Sequence, residues 1–292
     1  MSRKSALIAV LAVVMSAVFV APQGVAAKTC GPFREAVQFD QAKSATLLFM
    51  PGPVRTPEPV LTADLERLRG FSVGLFSPTL GRYSPTQMML DISQGARVAS
   101  GLYKPAIVPP PPLIVHDGQG IFRDWRSLVA RADDVPGDIK PGLFGCTLLD
   151  HSIPGSWIGA AGSLTSTGIA ATADGLLPFV SMPPQSGLAD AISRAQRQRP
   201  FVSALLPAGG YGFGIVQRLA AEQPKRMIIV VQAPPDPART RLLTIAVRGI
   251  GGDGGIRSAT TRRDGLVAAT DIAPTILDRL GIKSPKTMQG QP

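Results

Sequence analysis

Leu243-Thr244-Ile245-Ala246-Val247-Arg248-Gly249, and then Gly265-Leu266-Val267-Ala268-Ala269-Thr270-Asp271-Ile272-Ala273-Pro274-Thr275-Ile276-Leu277-Asp278-Arg279-Leu280-Gly281-Ile282, decide the fold of this 292-residue chain. Residues 242–247 have the length and apolar character of a buried strand. Five glycines among the seven residues 249–255 require a loop after it. Residues 272–280 predict a helix. Asp271 can cap its N-terminus, Pro274 is tolerated in the first turn and Gly281 stops it. Ile272, Ile276, Leu277 and Leu280 give that helix one apolar face.

Upstream, apolar runs alternate with stretches of helical period. Residues 45–50 and 71–76 read as strands, with a helix over 61–69 between them. Residues 85–99 read as a helix with Met88, Met89, Ile92 and Ala96 near one stripe. The prolines at 109–112 form an extended spacer and mark a possible subdomain or insertion around 105–185. Helices are predicted over 122–131, 188–197 and 213–222, and strands over 157–160, 168–172, 201–206 and 227–231. Such alternation is that of an α/β fold, a mostly parallel doubly wound sheet with helices on both faces.

Composition narrows the function classes. With 31 Gly and 28 Pro the chain is neither a coiled coil nor a plain helical bundle. Apolar residues at 45% and charged residues at 17% exclude a disordered polar chain. The net charge of +10 favours anionic surroundings, although no block of five or six like charges occurs. Arg194, Arg197 and Arg199 form one short cluster and Arg262 and Arg263 another. Aromatics are 5% and do not interleave with them, so no nucleic-acid partner is expected.

The N-terminus reads as an export signal, residues 1–27. Arg3 and Lys4 precede an apolar region of 16 residues, 6–21, and Val25, Ala26 and Ala27 suit cleavage before Lys28. The domain then spans 28–292, and the expected location is secreted or extracytoplasmic, with membrane association as a variant. Export makes a disulfide between Cys30 and Cys146, the two cysteines of the chain, plausible.

Most chemical motifs are missing. There is no G-x-S-x-G elbow, no phosphate-binding G-x-x-x-x-G-K-[ST] loop and no H-E-x-x-H. Residues 249–254 fit G-x-G-x-x-G, but Gly255-Ile256-Arg257-Ser258 is poor material for the helix that a dinucleotide site needs. Asp150-His151 could assist a serine or bind a metal, and reads more readily as a structural pair because no nucleophile context accompanies it. His116-Asp117 sits in a glycine-rich turn and reads the same way.

The strand, loop, Asp-Ile-x-Pro-Thr helix and Leu-Gly-Ile stop, with the tail Met288-Gln289-Gly290, closely resemble the C-terminal segment of the alkaline phosphatase-like superfamily, which includes sulfatases, phosphodiesterases and phosphoglycerate mutases. A second echo runs from Tyr83-Ser84-Pro85-Thr86 to Gly95-Ala96-Arg97. There the resemblance puts Ser84 or Thr86 at the place of the nucleophile. The resemblance also implies one or two divalent metals held by Asp and His at strand ends. This sequence departs from that pattern. Its first strand ends Phe49-Met50-Pro51-Gly52, Leu206 is followed by Pro207-Ala208-Gly209-Gly210-Tyr211, and Val231 by Gln232-Ala233-Pro234-Pro235-Asp236. Pro and Ala offer no side-chain donor to a cation, and an unactivated hydroxyl is a weak nucleophile.

The expectation is therefore an exported alkaline phosphatase-like domain without the metal ligands, similar to metal-less domains of exported and membrane-tethered actinobacterial proteins. It would bind or assemble in the cell envelope, with no metal or cofactor and with an anionic envelope polymer or a membrane protein as candidate partner. The alternative is an active phosphate- or sulfate-ester hydrolase or transferase with an altered site, using Ser84, Asp150, His151 and Asp236.

Overall fold

The computed structural model describes residues 30–31, 38–51, 65–78, 80–82, 84–160, 167–233, 242–250 and 255–292. The strands are β1 (Ala45–Pro51), β2 (Ser72–Ser77), β3 (Leu113–His116), β4 (Gln119–Phe122), β5 (Ser156–Gly159), β6 (Leu176–Leu177), β7 (Phe179–Ser181), β8 (Phe201–Leu205), β9 (Met227–Ala233), β10 (Leu243–Arg248) and β11 (Leu266–Ala268). The α-helices are α1 (Pro85–Gln94), α2 (Trp125–Asp133), α3 (Leu143–Asp150), α4 (Leu188–Gln198), α5 (Gly209–Glu222) and α6 (Ala269–Arg279).

Eight strands form one sheet in the order β11-β2-β10-β9-β1-β8-β5-β7, and β3, β4 and β6 form a second, three-stranded sheet. In the large sheet β10 is antiparallel to both its neighbours, and every other pairing is parallel. The molecule is thus a mixed α/β protein with a large, mostly parallel sheet. Residues 105–185 supply the small sheet and also β5 and β7 of the large one.

The central strands are mostly apolar because both sheet faces are covered. Ala45, Leu47 and Phe49 of β1 face one core with Met227, Ile229 and Val231 of β9, under α1, α3 and α6. Leu48 and Met50 face the other with Ile228 and Val230, under α4 and α5. At the N-terminal ends of β1, β8 and β9 the fully buried Arg226 replaces a carboxylate partner with neutral oxygens. Its guanidinium donates to Thr46 Oγ1 at 2.7 Å and to the carbonyls of Gln196 at 2.8 Å, Arg199 at 2.8 Å and Pro200 at 2.9 Å. Burial pushes its pKa down to about 9, so it is protonated at neutral pH.

Several elements differ from the sequence expectations. The helix expected over 85–99 ends at Gln94, because Gly95 turns left-handed at φ 59°. The helix expected over 122–131 begins at Trp125. Phe122 ends a hairpin strand whose turn, Asp117-Gly118, has φ 49° and φ 73°, which matches the twist of an antiparallel pair. Residues 167–170, which overlap the strand expected over 168–172, form a 3-10 turn instead. Gly145 and Gly155 pack against the backbone of Ala170 and Ala171 so closely that a Cβ would overlap it, which uses this run as filling between helices rather than as a ladder. The helix α3 and the strand β11 were not foreseen. Of the helix expected over 61–69, residues 61–64 lie outside the described residues, as do residues 1–27.

Candidate functional site

In a mostly parallel sheet, ligands bind outside the C-terminal strand ends. Pro51 and Ala233 are register partners at the ends of β1 and β9. Beside them Leu206, just after β8, donates its N–H to the Phe49 carbonyl at 2.8 Å. Ala208 precedes α5 and gives it no side-chain cap, and Gly209 opens the helix at φ 73°. A Cβ on Gly212 would overlap the Pro207 carbonyl and come within 3.2 Å of Met50 Sδ, so glycine lets α5 sit tight on the tip. The tips of β1 and β9 thus carry Pro51 and Ala233, and the entry to α5 carries Ala208, none of them with a side-chain donor atom. Among the described residues no group of three or more His, Cys, Asp or Glu could hold a metal ion.

Ser84 is the N-cap of α1. Its Oγ accepts the Gln87 N–H at 3.1 Å and is buried. Thr86 is buried in the first turn and its Oγ1 has no hydrogen-bond partner. Among the described residues no carboxylate or imidazole hydrogen-bonds to either hydroxyl. Asp150 ends α3, where its Oδ1 accepts the Gly31 N–H at 2.8 Å. His151 Nδ1 lies 2.9 Å from the Thr147 carbonyl, closing the same helix. Both stand on the connection that feeds the N-terminal end of β5, so the structure does not bring them to the strand tips. His116 Nε2 and Asp117 Oδ2 lie 3.1 Å apart on the exposed hairpin turn. Asp236 lies outside the described residues. Cys30 and Cys146 are joined by a disulfide with Cα atoms 5.0 Å apart.

A buried polar cluster on α1 was not anticipated. Gln87 donates to Asp91 at 2.7 Å, and Gln94 donates to the same Asp91 oxygen at 3.2 Å. Arg131 from α2 donates to Gln87 Oε1 at 2.9 Å and to the Pro105 carbonyl at 2.7 Å, and stacks over the Tyr103 ring at 4.0 Å. Burial lowers the Arg131 pKa, and the Tyr103 and Asp91 charges oppose that. Gln87, Asp91 and Gln94 at i, i+4 and i+7 on one helix face were the available signal. Nearby Arg97 binds the carbonyl and Oγ of Ser77 at the end of β2, each at 3.2 Å. Its pKa is lowered by burial, with Asp91 and Asp271 acting against that.

The C-terminal segment is held by α6. Asp271 is buried in the first turn. Its carboxylate accepts Ser258 Oγ at 2.5 Å, the Thr260 hydroxyl and the Gln291 N–H at 3.1 Å. The tail then lies on Gly95, whose carbonyl accepts the Gln289 N–H at 2.7 Å. A Cβ on Gly290 would overlap the Thr270 carbonyl.

No family model matches the chain, and no curated protein matches it. Among solved structures it is similar to a cofactor-independent phosphoglycerate mutase from Thermoplasma acidophilum DSM 1728, with 10% identity over 81% of this chain and 100% of that chain and a TM-score of 0.36. It is also similar to an alkaline phosphatase from the Antarctic bacterium TAB5, with 10% identity over 85% of this chain and 100% of that chain and a TM-score of 0.42. Both likenesses concern the fold and not the site.

Proposed function

We propose that this chain is an exported, metal-less member of the alkaline phosphatase-like group, which binds or assembles in the cell envelope and does not hydrolyse esters. The observation that carries this reading is the chemistry of the strand tips. Pro51, Ala208 and Ala233 stand where the resemblance requires carboxylate or imidazole, and none has a side-chain donor. The Ser84 hydroxyl is engaged as a helix cap, which leaves it without the activation a nucleophile needs. The disulfide and the apolar N-terminal run support an oxidising, extracytoplasmic location. The net charge of +10 for the whole chain, +8 once residues 1–27 with Arg3 and Lys4 are removed, suits an anionic envelope polymer as partner.

Metal analysis of the purified protein, with assays on phosphomonoester, phosphodiester and sulfate-ester substrates, tests the proposal. We expect no stoichiometric zinc, manganese or calcium and no turnover. Stoichiometric metal together with turnover abolished in Ser84→Ala overturns it in favour of the hydrolase reading.

A further inference from the structure

The central strands start level with one another. Ala45 of β1 is the register partner of Phe201, which opens β8, and of Met227, which opens β9. Antiparallel β10 brings its end to the same level, since Arg248 pairs with Ile228 and Val247 with Ser72, the first residue of β2. Basic residues collect at these ends. Lys43 precedes β1, Arg69 precedes β2, Arg199 precedes β8 and Lys225 precedes β9, while Arg248 closes β10 and Arg279 closes α6. Arg279 donates to the Lys225 carbonyl at 2.6 Å and to the Gly249 carbonyl at 3.0 Å, which ties the end of α6 to the same place. Arg194 and Arg197 lie in the last turns of α4, which leads into β8. These cations are far apart in the sequence, and the sheet gathers them.

Little at this end cancels them. The Arg226 guanidinium donates to the carbonyls of Gln196, Arg199 and Pro200, and that of Arg248 to the Ala220 carbonyl, so both charges meet neutral oxygens. The acids here are Asp40, Glu66, Asp150, Glu222 and Asp278, fewer than the cations. Glu222 already accepts Arg218 Nε at 2.6 Å. The helices α4, α5 and α6 also end here, and a helix C-terminus carries only about half a negative charge, so the excess stays positive. Lys43, Arg194, Lys225 and Lys283, which follows α6, are exposed.

The cations spread over β2, β10, β9, β1 and β8, about 19 Å at the usual strand spacing, and over helices on both faces of the sheet. That is a plate of charge rather than a groove along which one polymer strand could run. Its exposed apolar content is slight, Ile250 lying two residues beyond Arg248, so charge attraction rather than insertion suits it to a surface.

We propose that this end of the sheet docks on an anionic membrane surface, its cations facing lipid phosphates that lie in a plane. The proposal goes beyond the envelope reading above and rests on it only for location. The strand tips at Pro51 and Ala233 are at the opposite ends of β1 and β9 and take no part.

Sedimentation of the full chain with vesicles tests the proposal. One set holds equal parts of phosphatidylglycerol and phosphatidylcholine, the other phosphatidylcholine alone. The chain should sediment with the first set and not with the second. Raising the salt from about 0.05 M to about 0.5 M should weaken binding at least about tenfold, because the screening length falls to a few Å. The triple variant Lys43→Glu, Arg194→Glu, Lys225→Glu should lose at least about tenfold in affinity, since each cation near an anionic bilayer contributes roughly a factor of five. The triple variant Lys104→Glu, Lys140→Glu, Lys286→Glu changes the net charge equally at exposed lysines away from the strand starts, and should stay within about threefold of the parent. Thermal unfolding of each variant is measured alongside, and glutamine replaces glutamate in a triple that does not fold. Equal loss in the two triples overturns the proposal, because it assigns binding to net charge alone. Equal binding to both vesicle sets, the result expected of the apolar residues 6–21, overturns it too, as does absence of binding to the anionic set. Tighter binding of long-chain polyphosphate than of anionic vesicles overturns it in favour of a soluble polymer. None of these outcomes alters the metal and turnover results that test the envelope reading.

Discussion

Tyr103 illustrates how burial sets a residue's chemistry in this chain. Its ring stacks on Arg131 while its Oη makes no well-formed hydrogen bond, the Gln87 and Gln94 amides being its polar neighbours. Burial raises its pKa above 10.0, and the Asp91 charge adds to the rise. Above about pH 10 the unfolded chain releases this proton while the folded chain keeps it. The folded state then binds more protons, so stability falls as pH rises through that range. Tyr103→Phe should lack this part of the alkaline loss and should stay within about 1 kcal/mol of the parent at neutral pH, because no strong hydrogen bond is removed. Urea unfolding midpoints at neutral and alkaline pH check both statements.

Among the elements, α6 does more than cover the sheet. Its first-turn Asp271 ties two other stretches to the helix, the 258–260 turn through Ser258 and Thr260 and the tail through Gln291, and the helix N-terminus favours the negative charge. Asp271→Ala removes the acceptor for all three and should cost about 3 kcal/mol, within the range for breaking a buried charged network. Thermal unfolding measures that loss. Amide exchange over residues 288–292 should rise in the same variant, since the Gln291 N–H loses its partner. A smaller effect is expected from Ser258→Ala, which leaves the other two donors in place.

For the whole molecule, the disulfide spans 116 residues and ties the start of the described chain to α3. Closing a loop of this length restricts the unfolded chain and contributes about 2–5 kcal/mol. The double variant Cys30→Ser with Cys146→Ser should therefore unfold at lower denaturant concentration with the sheet unchanged. Equal midpoints for the parent with and without reductant would remove this account. The Gly31 to Asp150 hydrogen bond is too exposed to replace the covalent link.

The sequence by itself determined the layered α/β class, because strands buried on both faces must be mostly apolar, and 45–51, 201–205 and 227–233 all are. The strand and the helix of 243–282 were legible from local pattern, but the helix begins at Ala269, so Asp271 sits in its first turn rather than at the cap and Pro274 lies inside it. The absence of donor side chains at Pro51, Ala208 and Ala233 was also readable, since residue identity alone fixes which side chains carry donor atoms. Only tertiary structure decided which residues share a place. It paired Pro51 with Ala233, set Asp150 and His151 apart from the strand tips and made Ser84 a helix cap. It also folded 167–170 into a 3-10 turn and gathered Lys43, Lys225 and Arg248 at one end of the sheet. These outcomes depend on contacts between residues far apart in the chain, and such contacts leave no local period to read.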